Sequence, residues 1–109
     1  MEEIQRRLRK FSDQREWGRF HTPRNLATSI SLEAAELLEK FQWKLDDKLS
    51  KKELEEIKEE AADVFIYLLE FCRITNIDLI AASKAKIATN AKRYPISKSK
   101  GKAGKTAKK

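Results

Sequence analysis

Two acidic pairs carry the most specific chemistry this sequence offers, Glu33-x-x-Glu36 and Glu60-x-x-Asp63. Residues three apart share one side of a helix, so each pair aims its carboxylates together. Glu33 lies beside an apolar stripe of Leu26, Ile30, Leu37 and Phe41, which covers about 60° of a helical wheel. Glu36 sits on the shoulder of that stripe, and Glu60 falls between Phe71 and Tyr67 on its own wheel. Carboxylates beside a buried face are costly unless they are paired or bound to metal. If the two helices pack antiparallel, four carboxylates converge. They then repel unless protonated or neutralised. An all-oxygen set suits a hard cation, Mg²⁺ or Mn²⁺. A di-iron bundle would want Glu-x-x-His on its helices. The single histidine, His21, reads instead as a loop residue. Glu55, Glu56 and Glu59 read as solvated acids.

Three further features could serve a phosphorylated ligand. Lys86, Asn90 and Arg93 fall at i, i+4 and i+7 and line one helix face, where two cations and an amide can grip phosphate oxygens. The same stripe also fits a wet, basic helix end favoured by the macrodipole. Trp43, on the Glu36 side of the wheel, can stack on a nucleobase or simply pack. His21 can hydrogen-bond a base or phosphate, or do neither.

Four helices must position these groups. The first is expected over Glu2–Arg19, ended by Gly18 and then Pro23, and the second over Asn25–Trp43. Ser50 then reads as an N-cap with Glu53 in capping-box spacing, which opens a third helix reaching about Asn76. Asp78 caps a fourth that runs to about Tyr94, and Pro95 closes it. Helix three is apolar on both sides: Ile57, Ala61, Val64, Leu68 and Phe71 gather on one, and Ala62, Ile66 and Leu69 on the other. A chain of this size cannot easily sandwich such a helix by itself. A homodimer or a dimer of dimers would supply the missing layer.

The 109 residues allow one domain at most, and three Gly with two Pro leave little turn chemistry for a β-rich fold. The single Cys72 excludes an intrachain disulfide framework or a Cys-based zinc site. No apolar run reaches a membrane span and no signal peptide is evident, so a soluble cytoplasmic protein is expected. The net charge of +7 is unevenly placed. Residues 97–109 read SKSKGKAGKTAKK, with six Lys and no acid, which leaves +1 for residues 1–96. A folded domain over 1–96 and a disordered Lys-rich tail over 97–109 are expected. Such a tail could hold nucleic acid by counterion release, but no aromatics interleave its lysines to stack on bases.

Together these segments resemble the MazG-like all-α nucleotide pyrophosphohydrolases, and within them the dCTP pyrophosphatase branch. The likeness is carried by the two acidic pairs and by four ordered matches: F-H-x-P-R-N at Phe20–Asn25, F-Q-W at Phe41–Trp43, D-V-x-I-Y-L at Asp63–Leu68, and K-x-x-x-N-x-x-R-Y-P at Lys86–Pro95. It reaches over nearly the whole chain to Pro95. Two departures stand out. Ser29-Ile30-Ser31-Leu32 precedes Glu33 where a Gly beside the first Glu is common, and the link between helices two and three is short. The resemblance implies a four-helix bundle completed by homo-oligomerisation. It implies cleavage of a nucleoside triphosphate, dCTP or a related pyrimidine, to the monophosphate and pyrophosphate. It assigns Mg²⁺ to Glu33, Glu36, Glu60 and Asp63, with one of the glutamates, such as Glu36, acting on water. It assigns the triphosphate to Lys86, Asn90 and Arg93, and the base to His21, Trp43 and Tyr67. Arg24, Asn25 and Tyr94 enter the substrate set through the same motifs. Two other classes stay open, a nucleotide-binding pseudo-enzyme and a nucleic-acid-binding helical module.

Overall fold

The structure is a computed structural model that describes residues 1–102. Every regular element among the described residues is helical. Helix α1 spans Glu2–Gln14, α2 Pro23–Glu39, α3 Lys51–Thr75, α4 Leu79–Arg93 and α5 Ile96–Ser99, with one 3₁₀ turn at Gly18–Phe20. The all-α expectation holds. Of the span expected to be a tail, residues 97–102 are described, and α5 includes Ser97–Ser99. Residues 103–109 lie outside the described residues. No helix among the described residues is long and apolar enough to cross a membrane. Met1–Asn76 form one compact unit, and a second begins at Ile77.

Local chemistry sets the helix ends. The Ser50 hydroxyl accepts from Glu53 N at 3.1 Å, and Glu53 Oε1 accepts from Ser50 N at 2.9 Å, closing the capping box at the start of α3. Asp78 accepts from Ala81 N at 3.0 Å and opens α4. Pro23 stands at the first position of α2, where its missing N–H costs nothing, and Thr22 caps that helix through Asn25 N.

Two ends differ from the sequence expectation. Helix α1 stops at Gln14, not Arg19. Trp17 N donates to Ser12 O at 3.0 Å and Glu16 N to Asp13 O at 3.1 Å, a Schellman turn with Glu16 at φ 53°. Glutamate there carries a Cβ penalty that glycine escapes. Glu16→Gly should raise stability by about 0.5–1 kcal/mol in urea denaturation; an unchanged or lower midpoint would contradict this. Helix α2 stops at Glu39, and residues 40–44 continue in tight turns, Phe41 N reaching Leu38 O and Lys44 N reaching Phe41 O. Trp43 therefore lies beyond the helix whose wheel was used to place it.

Helices α2 and α3 form an antiparallel hairpin. Just past the end of α2, Lys40 Nζ meets Glu56 at 3.4 Å and Lys44 Nζ meets Glu53 at 2.9 Å, so the chain leaving α2 meets α3 in reverse order. Helix α1 packs on α3. Leu26, Leu69 and Cys72 are the buried apolar residues among the described residues, and burial pushes the Cys72 thiol upward.

Glu53 gives the hairpin a pH response. The Ser50 backbone N–H, then Lys44 and the Ser50 hydroxyl, hold its carboxyl down to about 2. A depressed folded pKa stabilises above the ordinary value of 4.5 and is lost as pH falls toward 2. The protection factor of amides at the first turn of α3 should fall over that window, and Glu53→Gln should remove that fall. A protection factor there that is flat from pH 5 to about pH 2 would refute it.

Candidate functional site

Glu33 and Glu36 stand one turn apart on α2, and the antiparallel packing sets α3 beside them. Oxygens of Glu33, Glu36 and Glu60 all lie within 4.8 Å of one another. Glu33 and Glu60 are half-buried and Glu36 is exposed. The expected convergence of two helices is present for these three. Asp63, one turn beyond Glu60, stands outside the trio, although its charge still helps raise Glu60.

The trio is electrostatically strained. Glu36 is raised above the ordinary carboxyl range, first by its hydrogen bond with Glu33 and against a lowering contact from Glu60. Glu60 is raised by loss of solvent, and then by the hydrogen bond and charge of Glu36. Glu33 Oε2 and Glu60 Oε2 are buried with no hydrogen-bond partner. Buried carboxylate oxygens normally find a donor or a cation. Three oxygen donors, two of them orphaned, match what a hard divalent cation takes.

A second feature lies in the same unit. A small cleft of about 70 Å³ is lined by Leu8, Phe11, Ser12, Trp17, His21, Ile66, Tyr67 and Glu70. The Schellman turn at Glu16 folds Trp17 back edge-on to Phe11, with ring centroids 5.5 Å apart, and so builds one wall. Tyr67 is two turns along α3 from Glu60, on the same side of that helix. His21 Nδ1 lies 3.0 Å from Glu70 Oε2.

Glu70 is only 4% exposed. Arg73 donates Nε to its Oε1 at 2.6 Å and Nη2 to its Oε2 at 3.0 Å. These bonds, reinforced by His21 and opposed by burial, hold the Glu70 carboxyl below its ordinary value. Neither Glu70 nor Ser12 stood out in the sequence. Glu70-x-x-Arg73 looks like any surface ion pair, and a lone serine in α1 carries no signal. Ser12 lines the cleft, and its buried Oγ has no partner.

The other expected residues divide. His21 and Tyr67 share the cleft. Trp43 does not line it and is 86% exposed. Asn25 spends its amide on Phe20 O at 3.0 Å, which shapes the turn into α2, and Arg24 is exposed. Lys86, Asn90 and Arg93 share one face of α4, and Tyr94 is its C-cap; all four belong to the second unit. Among them Lys86 and Arg93 are exposed and Asn90 is half-buried.

Known proteins resemble this chain along most of its length. The description of the MazG-like family matches residues 28–107. The dCTP pyrophosphatase 1 of Bos taurus is 38% identical over 108 residues, which cover 94% of this chain and 64% of that protein. The Homo sapiens protein of the same name is 38% identical over 100 residues, 87% of this chain and 59% of its own. The chain thus spans just under two thirds of the length of these curated relatives. The crystal structure of a pyrophosphatase from Archaeoglobus fulgidus DSM 4304 superposes with a TM-score of 0.75 at 48% identity, covering 87% of this chain and 92% of that one.

Proposed function

Because this chain belongs to the MazG-like family, we propose that it is a divalent-cation-dependent nucleoside triphosphate pyrophosphohydrolase, with dCTP its preferred substrate. The observation that carries this reading is the Glu33–Glu36–Glu60 trio with its two orphaned oxygens. Those three residues would hold Mg²⁺ or Mn²⁺, and Asp63 would add charge beside them. When bound, the ion supplies neutralisation of the triphosphate and acidity to a nearby water. Glu36, the exposed member of the trio, would accept a proton from the attacking water. Cleavage between the α and β phosphates then yields a nucleoside monophosphate and pyrophosphate. The base enters the cleft of His21 and Tyr67. Lys86, Asn90 and Arg93 would offer their stripe to the triphosphate of this copy or of a neighbouring one.

Residues 1–96 are proposed as the catalytic domain and 97–109 as a dispensable tail. Self-association is part of the reading. Leu38 is 68% exposed, and Trp43 and Leu45 are more so, while very few apolar side chains among the described residues are fully buried. A second copy covering these residues would bury what the chain leaves in water. Sedimentation at micromolar concentration should give a dimer or tetramer.

The test of function is direct. Each deoxy- and ribonucleoside triphosphate is incubated with the protein, with and without Mg²⁺, and pyrophosphate and monophosphate are followed. Release that needs the cation and is fastest with dCTP supports the reading. Nucleotide-induced stabilisation without turnover would replace it with a binding protein.

A further inference from the structure

The His21–Glu70–Arg73 chain of contacts has no part in neutralising or cleaving a triphosphate. We propose that Glu70 holds His21 in the Nδ1–H tautomer, so that the cleft, taken as the base subsite proposed above, presents a lone pair to an exocyclic amino group. Glu70 is a positioning residue here, acting through His21.

Hydrogen-bond inventory leads to this tautomer. An ionised carboxylate can only accept. Glu70 is kept ionised by the two N–H groups of Arg73, and its Oε2 lies 3.0 Å from His21 Nδ1. The imidazole proton must therefore sit on Nδ1. A neutral ring has one N–H, which leaves Nε2 as an acceptor. Arg73 already balances the Glu70 charge, so the contact does not require an imidazolium. His21 Nε2 has no partner among the described residues, and the ring lines the cleft.

Ser12 also lines this cleft, and its orphaned hydroxyl is closed to solvent. A hydroxyl can donate or accept, so it does not distinguish an amino from a keto edge. His21 Nε2 does distinguish them. An amino-bearing base such as cytosine donates to it. A keto base such as thymine sets a carbonyl lone pair against it and leaves a buried acceptor unpaired. The aromatic walls from Phe11, Trp17 and Tyr67 accept either base, so discrimination falls on the one nitrogen whose state Glu70 fixes.

Two readouts test this, and they fail separately. The chain has one histidine, so a long-range ¹⁵N–¹H spectrum reports its tautomer without assignment, at a pH where the ring is neutral. Wild type should show Nδ1 protonated and Nε2 bare. In Glu70→Gln the amide oxygen can keep Arg73 while the NH₂ turns to His21, so the proton should move to Nε2. The second readout is kcat/KM for dCTP over dTTP with Mg²⁺. Glu70→Gln should lower that ratio about 10-fold or more, chiefly through KM for dCTP. Glu70→Asp keeps an acceptor-only carboxylate and should retain the ratio. A purely structural Glu70 would change melting temperature in these variants and leave the ratio alone.

An Nε2–H ring in wild type overturns the proposal whatever the variants do. A folded Glu70→Gln protein with its ratio within twofold of wild type overturns it too. If wild type releases pyrophosphate from no triphosphate, the functional reading fails and takes the base-selection half with it. The spectrum alone then decides the tautomer.

Discussion

Glu60→Gln should cut Mg²⁺-dependent pyrophosphate release by on the order of 10²-fold or more, while the metal-free protein melts no lower than wild type. The two halves have one cause. Glu60 is raised by burial and by Glu36, and its Oε2 has no donor. In the metal-free protein its charge is a liability. An amide removes that charge and can donate to Glu36, so the fold is relieved. With the cation present, the same change removes a charged oxygen from a hard-ion site, and catalysis is lost. The sign of the pH dependence agrees. A carboxyl raised in the fold binds more protons than in the unfolded chain, so its contribution falls as pH climbs above 4.5. Added Mg²⁺ should restore what is lost in wild type, and much less of it in Glu60→Gln. A variant that melts well below wild type without metal, yet turns over normally, would make Glu60 scaffold.

Arg73→Ala should destabilise the fold by about 3–5 kcal/mol in urea denaturation at fixed protein concentration. Glu70 is 4% exposed, and Arg73 supplies two of its three hydrogen bonds. Removing the guanidinium strands a buried charge that His21 alone must compensate. The double change Glu70→Leu with Arg73→Met should recover much of the loss, because apolar replacement of a buried pair is often close to neutral. A loss under about 1 kcal/mol for Arg73→Ala would mean that water reaches Glu70 and the pair behaves as an exposed one.

The helices and two of their caps were legible because they rest on local chemistry. Ser50 with Glu53, and Asp78 before α4, bond within their own first turn. The end of α1 was not legible. Glu16 at φ 53° has no sequence mark, since a glutamate in that conformation is tolerated only once Ser12 and Asp13 carbonyls are bonded. The place of Trp43 failed for a related reason. Neither Gly nor Pro ends α2, so the wheel was carried past Glu39. For the site, the acidic spacing brought out Glu33, Glu36 and Glu60, whose positions beside an apolar stripe set them apart from solvated acids. Spacing also put Asp63 on that side of α3, where it stands outside the trio but still acts on Glu60 through its charge. Glu70 escaped notice because its meaning lies in His21, 49 residues away.

The hairpin of α2 and α3 also governs the order of assembly. Its partners are close in sequence, joined through residues 40–50 and pinned by Lys40–Glu56 and Lys44–Glu53. Contacts of short separation close with little loss of chain entropy, so this pair is suited to form early and fast. Helix α1 must travel farther along the chain to reach α3, and the cleft exists only after it docks. Nascent protein would therefore hold the three glutamates together before it has a place for a base. Divalent cation present during refolding would then act on the early hairpin and speed the first kinetic phase, whereas a nucleoside would act only on the last.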